Sequence, residues 1–268
     1  IMAFIGGKAG CVDGENTVGQ WGVNEKSTVS EYAGSNADGA VGAVEGNTDW
    51  DGSYYCFGYL PANFPGDAIS FSGSVDGTKG VQGDALVASL TVEADAAGAG
   101  VVKATVTIEA NGALTKGADT VADETVPTFY PAKVAKVALG EVDVVGFQKA
   151  TMVLTAKNGS YVDGGVTKRV PGNISGTFSY SVLDDAWADA PVIGANHIVK
   201  FYVPATLSWQ LQWCMVESVT DLVCDINDPG KVIGYTVNMK FNGYNAGVQG
   251  NIYSPTPTLE WGTADAES

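Results

Sequence analysis

The sequence predicts an all-β protein, two tandem antiparallel β-sandwich or barrel domains with little helix, and three observations carry that expectation. Glycine is abundant, 35 of 268 residues, among many Val and Thr; glycine supplies the positive φ of tight turns, and branched side chains suit a pleated surface. No window holds a 3.6-residue apolar stripe behind a capping residue, as an amphipathic helix requires. The chain is also similar to itself, with collinear matches across its two halves.

The repeat is clearest near the end of each half. Thr105–Gly112 aligns with Thr236–Gly243 at an offset of 131, both alternating strands that end in Asn-Gly, a turn signal because both residues tolerate the left-handed region. Leu86–Thr91 aligns with Met215–Thr220 at 129, and Ile69-Ser70-Phe71 with Val199-Lys200-Phe201 at 130. Further upstream, Gly52-Ser53-Tyr54 pairs with Gly176-Thr177-Phe178 at 124 and Val18-Gly19 with Val145-Gly146 at 127. Offsets that drift slowly are what insertions in loops produce.

In order, each half is expected to hold a first strand, near Val18–Asn24 or Gln148–Ala156, then a long polar loop, a hairpin and two long alternating strands. In the first half the loop spans Glu25–Asp49, carrying Gly34, Gly39, Gly42 and Gly46 without a clear period. Loops of that length in compact domains usually meet a partner. Between Lys116 and Pro131, Gly117, three acidic residues, Pro127 and Pro131 interrupt the strand pattern. The expected organisation is therefore a first domain over 1–118, a linker over 119–131 and a second, related domain over 132–268.

Charge narrows the function classes. The net charge is −16 and Arg169 is the only arginine, so the bidentate phosphate clamps and basic stripe of nucleic-acid binders are missing. Residues 1–130 carry 5 Lys against 17 Asp and Glu, residues 131–268 carry 9 Lys and Arg against 13. The acidic half suits solubility or a surface that repels polyanions. Cys11, Cys56, Cys214 and Cys224 form no CxxC pair and stand near no histidine cluster. Buried free thiols are expected, with disulfides Cys11–Cys56 or Cys214–Cys224 as the alternative in an oxidising compartment. The first residues show no basic segment followed by a long apolar core, and no membrane span is readable, which suits assembly in a cytoplasm.

Catalytic constellations are lacking. His197 is the only histidine and no Gly-x-Ser-x-Gly elbow occurs, so His197 is read as an ordinary strand residue. Gly6-Gly7-Lys8 lacks the first glycine and the hydroxyl residue of a phosphate loop. Asp49, Asp51, Asp184 and Asp185 are the visible carboxylates for a glycosidase pair, but close pairs are expected by chance among 30 acidic residues. Asp49-Trp50-Asp51 and Asp225-Ile226-Asn227-Asp228 lack the ligand spacing of an EF-hand loop and are read as turns. No enzyme, cofactor or metal is expected. Of Trp21, Trp50, Trp187, Trp209, Trp213 and Trp261, the pair Trp209 and Trp213 would share one face of a strand, which suits a core or a subunit contact better than a sugar platform.

The residues Ala3-Phe4-Ile5-Gly6-Gly7-Lys8-Ala9-Gly10, the Val18-Gly19-Gln20-Trp21 strand, the long loop and Asp49-Trp50-Asp51-Gly52-Ser53-Tyr54 resemble the major tail protein of long-tailed bacteriophages. So do the Gly83–Glu93 strand and the closing strand with Asn111-Gly112-Ala113-Leu114; the likeness covers residues 2–115. In the second half Pro171-Gly172-Asn173-Ile174-Ser175-Gly176 stands where the Trp-containing segment was, a looser match. The resemblance implies tail-tube β-domains whose sheets join those of neighbouring subunits around a lumen through which genomic DNA passes without tight binding, together with other tail proteins in the virion. Tubes of that family are stacked hexameric rings of single-domain subunits, so a two-domain chain would form a trimer with pseudo-sixfold symmetry.

On this reading the long loop makes contacts between subunits or rings, and Glu25, Glu31, Tyr32, Asp38, Glu45, Asp49 and Trp50 are its candidate contact residues. A capsid decoration protein or tail adaptor is the nearest rival, and a secreted adhesin or carbohydrate-binding module the rival from another class.

Overall fold

A computed structural model of the chain describes residues 9–12, 18–33, 41–57, 61, 63–74, 79–98, 100–118, 132–183, 190–202, 208–220 and 234–241. The described residues form fourteen strands in one hydrogen-bonded sheet, with a single 3-10 turn at Ala132–Val134 and no α-helix. The protein is all-β, as its glycine and branched-residue content predicts. The linker expected over 119–131 lies outside the described residues.

In the first half the strands are β1 (Ala9–Val12), β2 (Val18–Tyr32), β3 (Gly42–Phe57), β4 (Ala68–Ser74), β5 (Lys79–Asp95), β6 (Lys103–Ala110) and β7 (Thr115–Ala118). The second half holds β8 (Lys136–Leu139), β9 (Val142–Asp143), β10 (Phe147–Asp163), β11 (Val166–Leu183), β12 (Asn196–Tyr202), β13 (Ser208–Thr220) and β14 (Gly234–Phe241). Neighbours run β1-β4-β5-β6-β3-β2 in the first half and β8-β12-β13-β14-β11-β10 in the second. The two orders correspond strand for strand.

The correspondence extends to single residues. The β5–β6 ladder is broken between Val87 and Ser89, and the β13–β14 ladder between Val216 and Ser218, 129 residues further on. An extra residue that bends a strand is a specific feature of a sheet, so its recurrence fixes the alignment. Just before β4, Gly66 (φ 95°) donates its N–H to the Val87 carbonyl at 2.8 Å, and before β12 Gly194 (φ 84°) donates to the Val216 carbonyl at 2.8 Å. Both glycines occupy the third position of a turn that only a residue tolerant of positive φ can fill.

Two of the sequence alignments need correction. Ser53 pairs with Thr107 and Ser179 with Asn238; since Thr107 and Asn238 are equivalent, Ser53-Tyr54 corresponds to Ser179-Tyr180 at 126, not to Thr177-Phe178. Likewise Val18 and Phe147 stand before the same ladder shift, so Val18 matches Phe147 rather than Val145. Both errors are two residues long and preserve the facing of every side chain, because the strand period is two.

Each half curls until its outer strands approach, β1 meeting β2 and β8 meeting β10. Trp21 on β2 meets Phe71 on β4 edge-on at 5.7 Å, and Phe178 on β11 meets Phe201 on β12 at 6.3 Å. Such edge-to-face rings are the favoured aromatic geometry. Alternation places Ala104, Val106, Ile108 and Ala110 of β6, and Tyr235, Val237 and Met239 of β14, inside. Buried residues of both halves belong to one continuous cluster.

The halves are joined through β5. Its first part, Gly80–Leu86, pairs with β4, and its last part, Ser89–Asp95, pairs with Thr155–Lys149 of β10. On its other edge β5 pairs with β7 and then β6. Thus β10 follows β4 along the same edge, and Leu154 opposite Leu90 and Met152 opposite Val92 carry the core across the joint.

Candidate assembly surface

The largest departure from the sequence reading is the segment expected as a loop. Glu25–Asp49 is mostly ladder: Glu25 pairs with Trp50, Lys26 with Asp49, Ser27 with Thr48, and after a shift Val29 with Glu45, Glu31 with Ala43 and Tyr32 with Gly42. β2 and β3 therefore form a long hairpin arm. The segment carries few buried side chains because the arm extends past the barrel, so its sequence lacks the inside-outside alternation by which strands are recognised. The second half has the same device. Its expected first strand, Gln148–Ala156, continues to Asp163 and turns through Gly164 (φ 60°) and Gly165 (φ 82°) into β11, as a two-residue hairpin with positive φ at both positions does.

Both arms are kinked, the second one residue further from the barrel than the first. Between Ser27 and Val29 the ladder skips Thr28 on one strand and Gly46 and Asn47 on the other; between Lys157 and Gly159 it skips Asn158 and then Pro171 and Gly172. Asn47 N–H donates to Thr28 Oγ1 at 3.0 Å, and Gly172 N–H donates to Asn158 Oδ1 at 3.4 Å. The same side-chain-to-backbone bond closes both kinks.

The two arms differ in what lies beneath them. The second arm is docked on the first half. Asn158 Nδ2 donates to Glu109 Oε2 at 3.2 Å and to the Val87 carbonyl at 3.4 Å. Its tip reaches β3, where Thr48 N–H donates to the Gly165 carbonyl at 3.0 Å and Thr167 Oγ1 donates to the Thr48 carbonyl at 3.2 Å. Arg169 fixes its middle: the guanidinium spans both Asp49 oxygens at 3.2 and 3.4 Å, its Nε lies 3.2 Å from Glu109 Oε2, and its backbone N–H donates to Asn111 Oδ1 at 3.0 Å. The planar fork matches a carboxylate in this way where lysine cannot. Sequence reasoning used Arg169 only as the absence of basic clusters; that it is the chain's sole arginine was the available signal.

The first arm has no such bed among the described residues. Val29, Tyr32, Val41 and Val44 are exposed on it, and the outer edge of β2 pairs with no strand among the described residues. The predicted contact residues divide accordingly. Glu31, Tyr32 and Glu45 are exposed on the arm. Glu25 forms an ion pair with Lys116 of β7, and Asp49 is taken up by Arg169. Trp50 is not at the surface: its ring is buried, 6.5 Å from Phe71, and its Nε1–H donates to the Gly112 carbonyl at 2.9 Å. Asp38 lies outside the described residues.

The other chemical candidates are equally placed. Asp51 accepts from Asn24 Nδ2 at 3.0 Å and pairs with Lys26 at 3.3 Å; the Asn24 hydrogen bond and the lysine charge hold its carboxyl below the usual range. Asp184, Asp185, Trp187, Cys224, Asp225–Asp228 and Trp261 lie outside the described residues, as do the side chains of Cys11, Trp209 and Trp213. Cys56 and Cys214 are buried, and the Cys214 thiol is free. Among the described residues no group of three or more His, Cys, Asp and Glu is placed to hold a metal ion, and no helix is long and apolar enough to cross a membrane.

No protein-family model matches the chain, and no curated protein is similar to it.

Proposed function

We propose that the protein is a structural subunit of a phage tail tube, polymerising with copies of itself into stacked rings around a DNA-conducting lumen. The observation that supports this reading best is the joint between β5 and β10. One barrel-like unit already adds the sheet of a second, equivalent unit to its own edge within a single chain. Repeating that operation between chains makes a closed ring and removes the exposed strand edges that otherwise invite aggregation. With two units per chain, three chains give a ring with pseudo-sixfold symmetry.

The acidic balance fits a passage for DNA, since phosphate binding depends on Lys and Arg. On this reading the carboxylates of the first half contribute to the lumen wall, the protein has no catalytic role or cofactor, and it resides in the virion tail with other tail proteins after assembly in the host cytoplasm. Negative-stain imaging of the purified protein tests the proposal. Tubes of stacked rings, each ring of three chains with a six-lobed outline, are expected. A monomer at high concentration, or rings of six chains, would overturn it; isolated rings or capped trimers that never stack would favour a tail adaptor or capsid decoration protein.

A further inference from the structure

Equivalent positions in the two halves differ sharply in exposure at one place. In the first half the turn Phe64–Asp67 closes with Asp67 N–H donating to the Phe64 carbonyl, and Phe64 is 6% exposed with Pro65 buried beside it. The equivalent turn of the second half, Val192–Ala195, closes by the same bond, from Ala195 N–H to the Val192 carbonyl. Yet Val192 is 75% and Ile193 63% exposed.

The cover of the first turn is the kink of the second arm. A Cβ on Gly66 would lie 3.8 Å from Pro171 Cβ, and Asn158 Nδ2 reaches the same Val87 carbonyl that accepts from Gly66. The second turn has no cover among the described residues. Its apolar residues are placed as if one were present, and the first arm, with the same kind of kink at Thr28, Gly46 and Asn47, covers no turn among the described residues.

We infer that the first arm of one copy docks on the Val192–Ala195 turn of the next copy, repeating between chains the contact that the second arm makes within one. The occupant is a second copy of this chain, joined head to tail. The kink at Thr28 and Asn47 lies over Val192 and Ile193, and exposed Val29 and Val44 of the arm add apolar area. β2, from Asn24 to Lys26, then runs along the edge of β13 at Ser218–Thr220, as Val153–Thr155 runs along β5 at Ser89–Thr91.

Charge supports the same pairing. Arg169 of the second arm pairs with Glu109 at 3.2 Å, while the position equivalent to Glu109 is the exposed Lys240 and the incoming first arm carries Glu31 and Glu45. Each arm thus carries the sign opposite to the residue at its docking place, which favours the correct partner and disfavours the wrong one.

The inference rests on the self-assembly proposed above, and its test separates the two. Asn47→Cys with Ile193→Cys is combined in the full chain, the single variants serving as controls, and oxidised samples are resolved without reductant. A ladder of chain-to-chain disulfides in the double variant alone is expected. In parallel, Val192→Asp with Ile193→Asp, both on an exposed turn, is expected to shift assemblies to monomers while circular dichroism stays unchanged. Assemblies that persist in the aspartate variant and give no ladder in the cysteine variant would overturn this joint and leave self-assembly standing. A wild-type chain that stays monomeric would overturn both. If the aspartate variant misfolds, the disulfide ladder decides.

Discussion

Arg169 on the second arm grips Asp49 at the base of the first, with both guanidinium Nη atoms 3.2 and 3.4 Å from the two carboxylate oxygens. The contact joins residues 120 apart and is largely shielded, the arginine side chain being 12% and the aspartate 19% exposed. Together with the Asn158 and Thr167 contacts, it holds the second arm across the first half.

Replacing Arg169 with Leu leaves Asp49 and Glu109 facing one another without the cation, and the Ala110 carbonyl without its donor. Removing one member of a largely buried charged network costs about 1–3 kcal/mol for the unsatisfied partners. The midpoint of urea denaturation is expected to fall accordingly, and Arg169→Lys to recover only part of the loss because its point charge cannot span both oxygens. An unchanged midpoint in Arg169→Leu would mean that the network is not structural.

Trp50 packs against the backbone of Gly83, where an added Cβ would lie 2.7 Å from the ring atom Cζ2. Gly83→Ala forces the indole off its place and weakens its bond to the Gly112 carbonyl. Overpacking of this kind costs about 1–3 kcal/mol, so the thermal midpoint should drop. Gly112→Ala, where nothing lies within 4 Å of an added Cβ, is the control and should behave as wild type.

The Cys214 thiol is buried, and burial pushes its pKa up to about 12. Since the thiolate is the reactive form, iodoacetamide at neutral pH should leave Cys214 unmodified in the folded protein and label it fully in urea. Peptide mapping by mass spectrometry reads both states; rapid native labelling would show that the strand opens locally.

His197 carries a buried Nε2 with no hydrogen-bond partner, and burial lowers its pKa. The unfolded chain then binds a proton more readily than the folded one, so stability rises with pH through this range. The stabilising difference is full above the unfolded pKa, near 6.5, and is lost as the pH falls below it toward the folded value. Comparing urea midpoints of wild type and His197→Leu between about pH 5 and pH 8 should show a steeper acid-side decline in wild type, since the carboxylates contribute equally to both. Parallel curves would refute the assignment.

Much of the strand inventory was legible. β6 and β14 alternate strictly, and both half-buried ladders could be aligned by their faces from the sequence. The slip of two residues at Gly52-Ser53-Tyr54 has a physical origin. Trp50 and Gly52 share the inner face of β3, while the equivalent residues of β11 are Gly176 and Phe178; the large ring and the small residue have exchanged places. Gly52 aligned with Gly176 therefore matches by type but not by position, and only hydrogen-bond register separates the two.

The sequence by itself determined the class of the protein and the repetition, because turn chemistry and period-two alternation are local properties written in residue order. The arms and their unequal docking were decided by tertiary structure alone. An arm that leaves the barrel buries too little to show a period, and whether Val192 is covered or exposed depends on a segment far away in the chain. Arg169 belongs to the same class: nothing in its neighbourhood in the sequence names Asp49 and Glu109, and it acquires its partners only when the second arm folds back across the first half.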